Sequence, residues 1–243
     1  MIKILAVGNS FSQDATFYLH DIAKCGGVDV KVGNLWIGGC SLETHWKNIT
    51  ENVSLHEYEI NGCGTGRMCS VKDALISESW DFVTMQQVSG KSGIVDTYYP
   101  YIRLLSDYIR EHVPDVTQMI HKTWAYEAGC THEDFPKYNN DPALMYRSLS
   151  SAYDVVSGDL GIKLIPSGDV INALNNLPEF DPLHGGQSLF RDGFHLDLIY
   201  GRYAAALTWY KHVLTGNVLS NDFIPIGAEP DLLQLIKIIV HET

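Results

Sequence analysis

The chain has 243 residues, of which 45% are hydrophobic and 19% are charged, and its formal net charge is −12. This length and apolar content suit one large α/β domain, which we expect to span residues 1–243. An acidic chain without a basic run lacks the electrostatic footprint that binds nucleic acid or an anionic membrane surface, so neither partner is predicted. An uncharged small molecule or a glycan is compatible with this charge; the oligomeric state is not encoded.

Membrane and export signals are missing from the sequence as written. No stretch approaches the roughly 20 apolar residues of a membrane span. The first apolar run stops at Gly8, too early for the apolar region of a signal peptide. We therefore expect a soluble, cytoplasmic protein, although an exported chain whose signal peptide had been removed would look the same.

The five cysteines are odd in number, and no two of them have CxxC spacing. This pattern argues against a zinc finger and against a thioredoxin-type site. Cys63 and Cys69 are close enough in sequence for a disulfide in an exported protein, but free or buried thiols are favoured. We predict no metal site and no cofactor.

Strand-like and helix-like runs alternate through the first half of the chain. Asn61-Gly62 is typical of a tight hairpin turn. The predicted elements are a strand over Ile2–Val7, a helix ended by Cys25-Gly26-Gly27, a strand over Val28–Ile37, a helix from about Leu42 to Ile49, a small hairpin within residues 55–69, a helix capped by Ser70 and a strand over Phe82–Met85.

The second half continues the alternation. Its predicted elements are a helix over Tyr98–Val113, a strand over Val116–Ile120, a helix with Met145, Leu149, Ala152, Tyr153 and Val156 on one face, a strand over Ile162–Ile165 followed by Ser167 as a cap, an irregular segment over Asn176–Arg191, and helices over Leu198–Leu214 and Asp231–Val240. Repeated strand–helix units predict a three-layer α/β sandwich: a five-stranded parallel sheet with helices on both faces. Functional groups of such sheets gather at the carboxyl ends of the strands.

Ser10 lies just beyond the carboxyl end of the first strand, in the sequence GNSF. A helix start at this junction would point backbone N–H groups at developing negative charge. Taken alone, the turn is better explained as a structural cap.

A serine nucleophile needs a base, and the base needs a group that orients it. His195 stands out among the ten histidines because Asp192 precedes it by three residues in RDGFHLD. On a turn, this spacing lets the carboxylate reach Nδ1 while Nε2 faces a serine. An Asp helix cap beside an unrelated histidine is the alternative for this pair alone.

Two further stretches could supply donors to an oxyanion. Gly38 and Gly39 follow the second strand, where glycine allows close approach of a backbone N–H. Gln86 and Gln87 end the third predicted strand, where a side-chain amide could point into the same cleft. A tight turn and a polar strand end are the corresponding structural explanations.

In order along the chain, GNSF, IGGCS, QQVSG and DGFH resemble the four sequence blocks of the SGNH (GDSL-type) hydrolases. The resemblance spans residues 2 to about 210 and is greatest to an uncharacterised bacterial branch with a GNSF first block. It implies a flavodoxin-like fold and a serine esterase with Ser10 as nucleophile and Asp192 and His195 as the acid–base pair. It also implies oxyanion donors at Ser10 and Gly39, with Gly38 the second glycine.

The third block departs from the family pattern, because QQVSG has no Asn where most members have one. The resemblance then implies that a glutamine supplies the third donor, and Gln86 is favoured over Gln87. An acetyl ester on a carbohydrate is the substrate that the resemblance favours. Trp124 and Tyr126, after the fourth predicted strand, could line the cleft, although core packing is the common role of such aromatics.

Three other functions compete with the esterase. A metal-dependent hydrolase could use His184, Asp192, His195 and Asp197, but their spacing fits no standard zinc signature. A glycan-binding module could keep the fold without turnover. An acyltransferase would use the same serine and differ only in the acceptor.

Overall fold

The computed structural model describes residues 1–243. The strands and helices are, in chain order, β1 (Ile2–Gly8), α1 (Ser10–Thr16), α2 (Leu19–Cys25), β2 (Val30–Trp36), α3 (Leu42–Thr50), β3 (His56–Ile60), β4 (Cys63–Cys69), α4 (Val71–Ile76), β5 (Phe82–Met85), α5 (Tyr101–His112), β6 (Thr117–His121), α6 (Pro142–Leu160), β7 (Lys163–Ile165), α7 (Ser167–Asn175), α8 (Tyr200–Leu214) and α9 (Pro230–Glu242).

All seven strands form one sheet in the order β4-β3-β2-β1-β5-β6-β7. The five strands from β2 to β7 in this order are parallel to one another, as predicted. The two hairpin strands are antiparallel and extend the sheet beyond β2. The predicted α/β class and parallel core are thus confirmed, but the predicted count of five strands is wrong, because the hairpin within residues 55–69 pairs with the free edge of β2.

The hairpin turn follows the prediction made from its dipeptide. Asn61 and Gly62 have φ values of 53° and 74°, the left-handed backbone that a two-residue hairpin turn requires at both positions. A Cβ on Gly62 would also lie 2.3 Å from the Phe17 carbonyl oxygen, so this position requires glycine.

Helices cover both faces of the sheet. On one side α8 packs against α1, α2, α7 and α9, and on the other α5 packs against α3 and α4. The central strand β1 is buried from Ile4 onward because it has helices on both faces. None of the helices is long and apolar enough to cross a bilayer.

Two local predictions fail. The single helix predicted after the first strand is two helices, separated at Phe17 and Tyr18. This break lets Arg202 stack on the Phe17 ring and lets the Tyr18 hydroxyl donate to the Leu198 carbonyl. Ser167 is not a cap, because it is already the first residue of α7 and its hydroxyl has no hydrogen-bond partner.

Candidate active site

The β1–α1 junction fixes Ser10. The Asn9 side chain caps α1 by accepting a hydrogen bond from the Phe11 N–H at 3.0 Å, which makes Ser10 the first helical residue. Gly8 is required before it, since a Cβ there would lie 2.6 Å from Ser12 Oγ. Because the first N–H groups of a helix have no acceptor within it, the Ser10 N–H is free to bind an anion.

The segment between the end of α7 and α8 carries His195 to this serine. His195 Nε2 lies 2.8 Å from Ser10 Oγ, and its Nδ1 lies 2.7 Å from Asp192 Oδ2. The other carboxylate oxygen of Asp192 accepts the backbone N–H groups of Phe194 and His195. The structure thus brings the side chains of Asp192, His195 and Ser10 into one hydrogen-bonded line.

The electrostatics keep Asp192 ionised. Its partial burial raises the pKa of the carboxyl group, but the hydrogen bonds from the His195 ring and from the backbone N–H groups of His195 and Phe194 outweigh burial and leave the pKa below its ordinary value. An ionised Asp192 accepts a hydrogen bond from the Nδ1–H group of His195, so Nε2 carries the lone pair and faces Ser10.

A buried carboxylate holds the two halves of the site together. Asp14, on the same helix as Ser10, accepts hydrogen bonds from Arg191 Nη1, from Arg202 Nε and from the backbone N–H of Leu196, all at 2.9–3.0 Å. Arg191 also donates to the Leu196 carbonyl, which closes the segment around His195. No pattern in the sequence indicates this cluster, because its members are up to 188 positions apart.

The glycine turn after β2 borders the same cleft. Gly38 and Gly39 line it together with Ser10, and neither glycine N–H is used in a hydrogen bond within the protein. Gly39 has φ of 64°, a backbone that disfavours any side chain. Both glycines therefore have N–H groups without a partner in the cleft that Ser10 lines.

The structure does not place Gln86 where a direct oxyanion donor was predicted, because its side chain is absent from the cleft wall. Its Nε2 donates to Asn9 Oδ1 at 2.8 Å, and its Oε1 accepts from His121 Nδ1 at 2.7 Å, so the amide is hydrogen-bonded within the protein at both ends. Asn9 Nδ2 in turn donates to the Cys40 carbonyl. Gln86 thus supports the capping residue of α1 and, through it, the glycine turn.

Gln87, the second choice for that role, is also directed elsewhere. Its Oε1 accepts the N–H groups of Leu42 and Val88, and its Nε2 donates to the Thr97 carbonyl. The amide is fully buried. Gln87 therefore joins the start of α3 to the segment after β5 and has no free donor.

The placement of Trp124 and Tyr126 in the cleft wall is wrong as well, since both side chains are fully buried. Trp124 stacks on Phe11 with ring centroids 4.3 Å apart, and its indole N–H donates to the Phe194 carbonyl. The Tyr126 hydroxyl lies 2.8 Å from Ser89 Oγ. They support the site from beneath, where burial of an aromatic ring stabilises most.

Other residues form the cleft wall, which encloses about 370 Å³. Trp36 is a cleft residue that its place at the end of β2 could have indicated. Phe194 lies inside the DGFH stretch, beside the predicted base, but it was not predicted as a cleft residue. Nothing in the sequence marked His132, which packs edge-on against Phe194 with centroids 4.7 Å apart. The remaining members are Asn9, Phe11, Gln13, Val88, Ser89 and Arg191.

A family model described as "Domain of unknown function (DUF4886)" matches residues 3–242. The chain belongs to the DUF4886 family. A crystal structure of a DUF4886 protein from Bacteroides uniformis is 38% identical to this chain, with a TM-score of 0.91 over 99% of this chain and 93% of the other. No curated protein matches the chain in sequence.

More distant structures share the fold of this DUF4886 protein. A proposed SGNH hydrolase from Slackia heliotrinireducens is 24% identical, with a TM-score of 0.61 over 87% of this chain and 98% of the other. The acetyl xylan esterase AlAXEase is 15% identical, with a TM-score of 0.57 over 87% and 100% of the two chains. At these identities the similarity establishes the shared fold.

Two minor sequence hypotheses for this DUF4886 protein find no structural basis. All five cysteines are free, and Cys63 and Cys69 lie at opposite ends of β4. The four residues of the metal-hydrolase alternative do not converge, because His184 pairs with Asp181 and because Asp197 accepts three backbone N–H groups at the start of α8.

Proposed function

We propose that this protein is a serine esterase that removes a small acyl group, with acetyl as the best candidate, from a carbohydrate. The observation that carries the proposal is the continuous hydrogen-bonded line from Asp192 through His195 to Ser10 Oγ, which opens into the cleft. A serine, an imidazole and a carboxylate in this order are the groups that acyl transfer requires.

In the acylation step, Ser10 Oγ attacks the ester carbonyl carbon and its proton passes to His195 Nε2. Asp192 stabilises the imidazolium that forms, because its negative carboxylate accepts a hydrogen bond from the Nδ1–H group. The carbonyl oxygen becomes an oxyanion and binds the N–H groups of Ser10 and Gly39, with Gly38 as a further donor. When the tetrahedral intermediate collapses, His195 returns the proton to the departing alcohol.

Deacylation uses the same groups in reverse. Water attacks the acyl-Ser10 carbonyl while His195 Nε2 takes one of its protons. Collapse of the second tetrahedral intermediate releases the carboxylic acid and returns the proton to Ser10 Oγ. Each oxyanion donor lowers the barrier by about 3–4 kcal/mol in sites of this type.

The cleft supports a carbohydrate as the alcohol component. Trp36 and Phe194 offer aromatic surface that suits the C–H face of a sugar ring. The acidic chain suits an uncharged glycan better than an anionic substrate. The shared fold with an acetyl xylan esterase supports the same choice by analogy.

Labelling and turnover of the Ser10→Ala variant test this proposal. The wild type is expected to hydrolyse 4-nitrophenyl acetate and an O-acetylated xylo-oligosaccharide, and to react covalently with a fluorophosphonate. Ser10→Ala should lower kcat about 10⁶-fold and abolish labelling. Its melting temperature should be unchanged. Ser54→Ala, at an exposed serine away from the cleft, is the matched control and should behave as the wild type.

The competing functions give different results in the same experiment. Glycan binding without fluorophosphonate labelling would identify a non-catalytic module and contradict the esterase. Labelling together with acetyl transfer to a sugar acceptor faster than hydrolysis would identify an acyltransferase. Undiminished turnover in Ser10→Ala would remove Ser10 from the mechanism.

A further inference from the structure

Three metal-binding side chains meet beneath the glycine turn, outside the proposed catalytic line. Cys40 follows Gly39 directly, His45 lies on α3 and His56 begins β3. All three are buried, with exposures of 2%, 0% and 0%. The Cys40 sulfur and one nitrogen from each ring lie within 4.8 Å of one another.

The two buried imidazoles cannot satisfy all their hydrogen bonds with each other. His45 Nδ1 and His56 Nε2 are 3.0 Å apart, while the outer nitrogens, His45 Nε2 and His56 Nδ1, lack a hydrogen-bond partner. If one ring donates to the other, one outer nitrogen is left with a buried lone pair and no donor. Such an unmet group costs free energy in a protein interior.

A cation bound by both inner nitrogens, His45 Nδ1 and His56 Nε2, removes this buried lone pair, because each ring then carries its proton on the outer nitrogen. No carboxylate could stabilise an extra proton between the rings instead, since the histidines that form salt bridges are His184 and His195.

We propose that Cys40, His45 and His56 bind one ion of the d¹⁰ class, Zn²⁺ or Cu⁺. Thiolate and imidazole are the ligands that select these ions. The ring nitrogens need to separate by only a few tenths of an ångström, since two imidazole ligands of a tetrahedral zinc lie about 3.4 Å apart. Binding replaces the Cys40 thiol proton, which leaves to solvent, and the thiolate offsets the charge of the ion.

The ion would act on the site by holding the glycine turn. Cys40 is bonded through its carbonyl to Asn9, which caps the helix that carries Ser10. A metal bond from Cys40 to α3 and β3 would therefore anchor both Gly39 and the start of α1. Because the three ligands are buried, the ion would be taken up as the chain folds. The site exists whether or not Ser10 is a nucleophile.

Metal analysis of tag-free protein tests the proposal. Chains produced with added zinc or copper and freed of loose metal by gel filtration should retain about one equivalent of one of these ions. Cys40→Ser should lose it, and Cys63→Ser, an exposed cysteine on β4, should keep it. Retention of the full equivalent in Cys40→Ser would overturn the proposal, because the ion would be bound elsewhere.

A second measurement covers the case in which Cys40→Ser does not fold. Wild-type protein is refolded from denaturant in two samples, one with a chelator and one with Co²⁺. Only the sample with Co²⁺ should show a thiolate-to-cobalt charge-transfer band, and its melting temperature should be higher than that of the chelator sample. His56→Gln should weaken the band, while His241→Gln, at an exposed histidine, should not. Wild-type protein that holds no stoichiometric zinc or copper and shows no such band overturns the proposal.

Discussion

His195 Nε2 lies 2.8 Å from Ser10 Oγ, although 185 positions of the chain separate the two residues. The contact is made from rigid surroundings on both sides: a capped helix start carries the serine, and a segment tied to Asp14 carries the histidine. Positioning of this kind matters because a displacement of about 1 Å is enough to slow acyl transfer about 10²-fold.

Asp192→Asn should lower kcat for acetyl esters about 10⁴-fold, because a neutral amide does not stabilise the His195 imidazolium and its NH₂ group favours the wrong histidine tautomer. The matched control is Asp181→Asn. Asp181 makes the same i,i+3 contact to His184 in DPLH, but away from the cleft. Steady-state kinetics of both variants measure the effect, and equal losses in the two would exclude a specific role for Asp192.

The lowered pKa of Asp192 predicts where the hydrogen bond to His195 loses its charged acceptor. Since the pKa of this carboxyl group lies below its ordinary value of 3.8, the folded protein keeps Asp192 ionised at pH values where an unfolded chain begins to protonate it. The stability that depends on the ionised form is present at neutral pH and is lost as the pH falls through the lowered pKa. An NMR titration of the Asp192 carboxyl carbon measures this, and protonation near pH 5 would contradict the assignment.

Gly39→Ala should reduce kcat up to about 10²-fold, although the added methyl group has room. No atom lies within 4 Å of a Cβ at this position, but the φ of 64° costs a non-glycine residue about 1–2 kcal/mol. The turn is expected to relax and to move the N–H away from the oxyanion position. Gly38→Ala has the same open space without the positive φ and should fold normally; an equal kcat loss there would shift the donor role to Gly38.

Asp14→Asn should lower both the melting temperature and kcat. A neutral amide leaves Arg191 and Arg202 without their shared buried carboxylate, and breaking a buried ion pair costs about 3–5 kcal/mol. Thermal unfolding and kinetics at a temperature below the transition measure the two effects. Asp231→Asn, at an exposed acid in α9, is the control. A fully active and fully stable Asp14→Asn variant would show that the cluster does not position His195.

Gln86→Ala separates a supporting role from a direct one. As a bridge between Asn9 and His121, Gln86 should contribute about 1–3 kcal/mol to the free energy of unfolding, since its removal leaves both partners unmet. If Gln86 were a direct oxyanion donor, its removal would instead lower kcat about 10²–10³-fold with little loss of stability. Denaturant unfolding and kinetics of the variant distinguish the two, with the exposed Gln234→Ala as control.

His121 makes the protein sensitive to acid. Burial lowers the pKa of His121 to about 3, against about 6.5 in an unfolded chain. Between these values the unfolded state binds one more proton, so the free energy of unfolding falls as the pH drops, by up to about 1.4 kcal/mol per pH unit. Urea unfolding from pH 7 to pH 4 should show a shallower dependence for His121→Gln than for the wild type, and no change for His241→Gln.

The alternation of elements was readable from the sequence because buried strands and amphipathic helices have different periods. The order of the parallel strands follows from the same alternation. The pairing of the hairpin with β2 was not readable, since residues of β4 are mostly exposed and polar and carry no apolar pattern that points to a partner. Its turn was predictable because only certain residues adopt left-handed backbone.

Ser10, Asp192 and His195 were predictable since each lies at a junction and within a short pattern that suits its chemistry. The glutamines were misread because the partner of Gln86, His121, is at the end of another strand, 35 positions away. The sequence likewise does not show whether an aromatic side chain after a strand points into the core or into the cleft. Trp124 points inward because Phe11 offers a flat surface to stack on, which only the folded chain reveals.

The distance between Asp14 and its partners along the chain has a consequence during synthesis. Arg191, Leu196 and Arg202 leave the ribosome between 177 and 188 residues after Asp14, so over that interval a nascent chain holds α1 without the carboxylate's partners. His195 follows Ser10 by 185 residues, so the proposed nucleophile would gain its base only when this later segment folds onto α1.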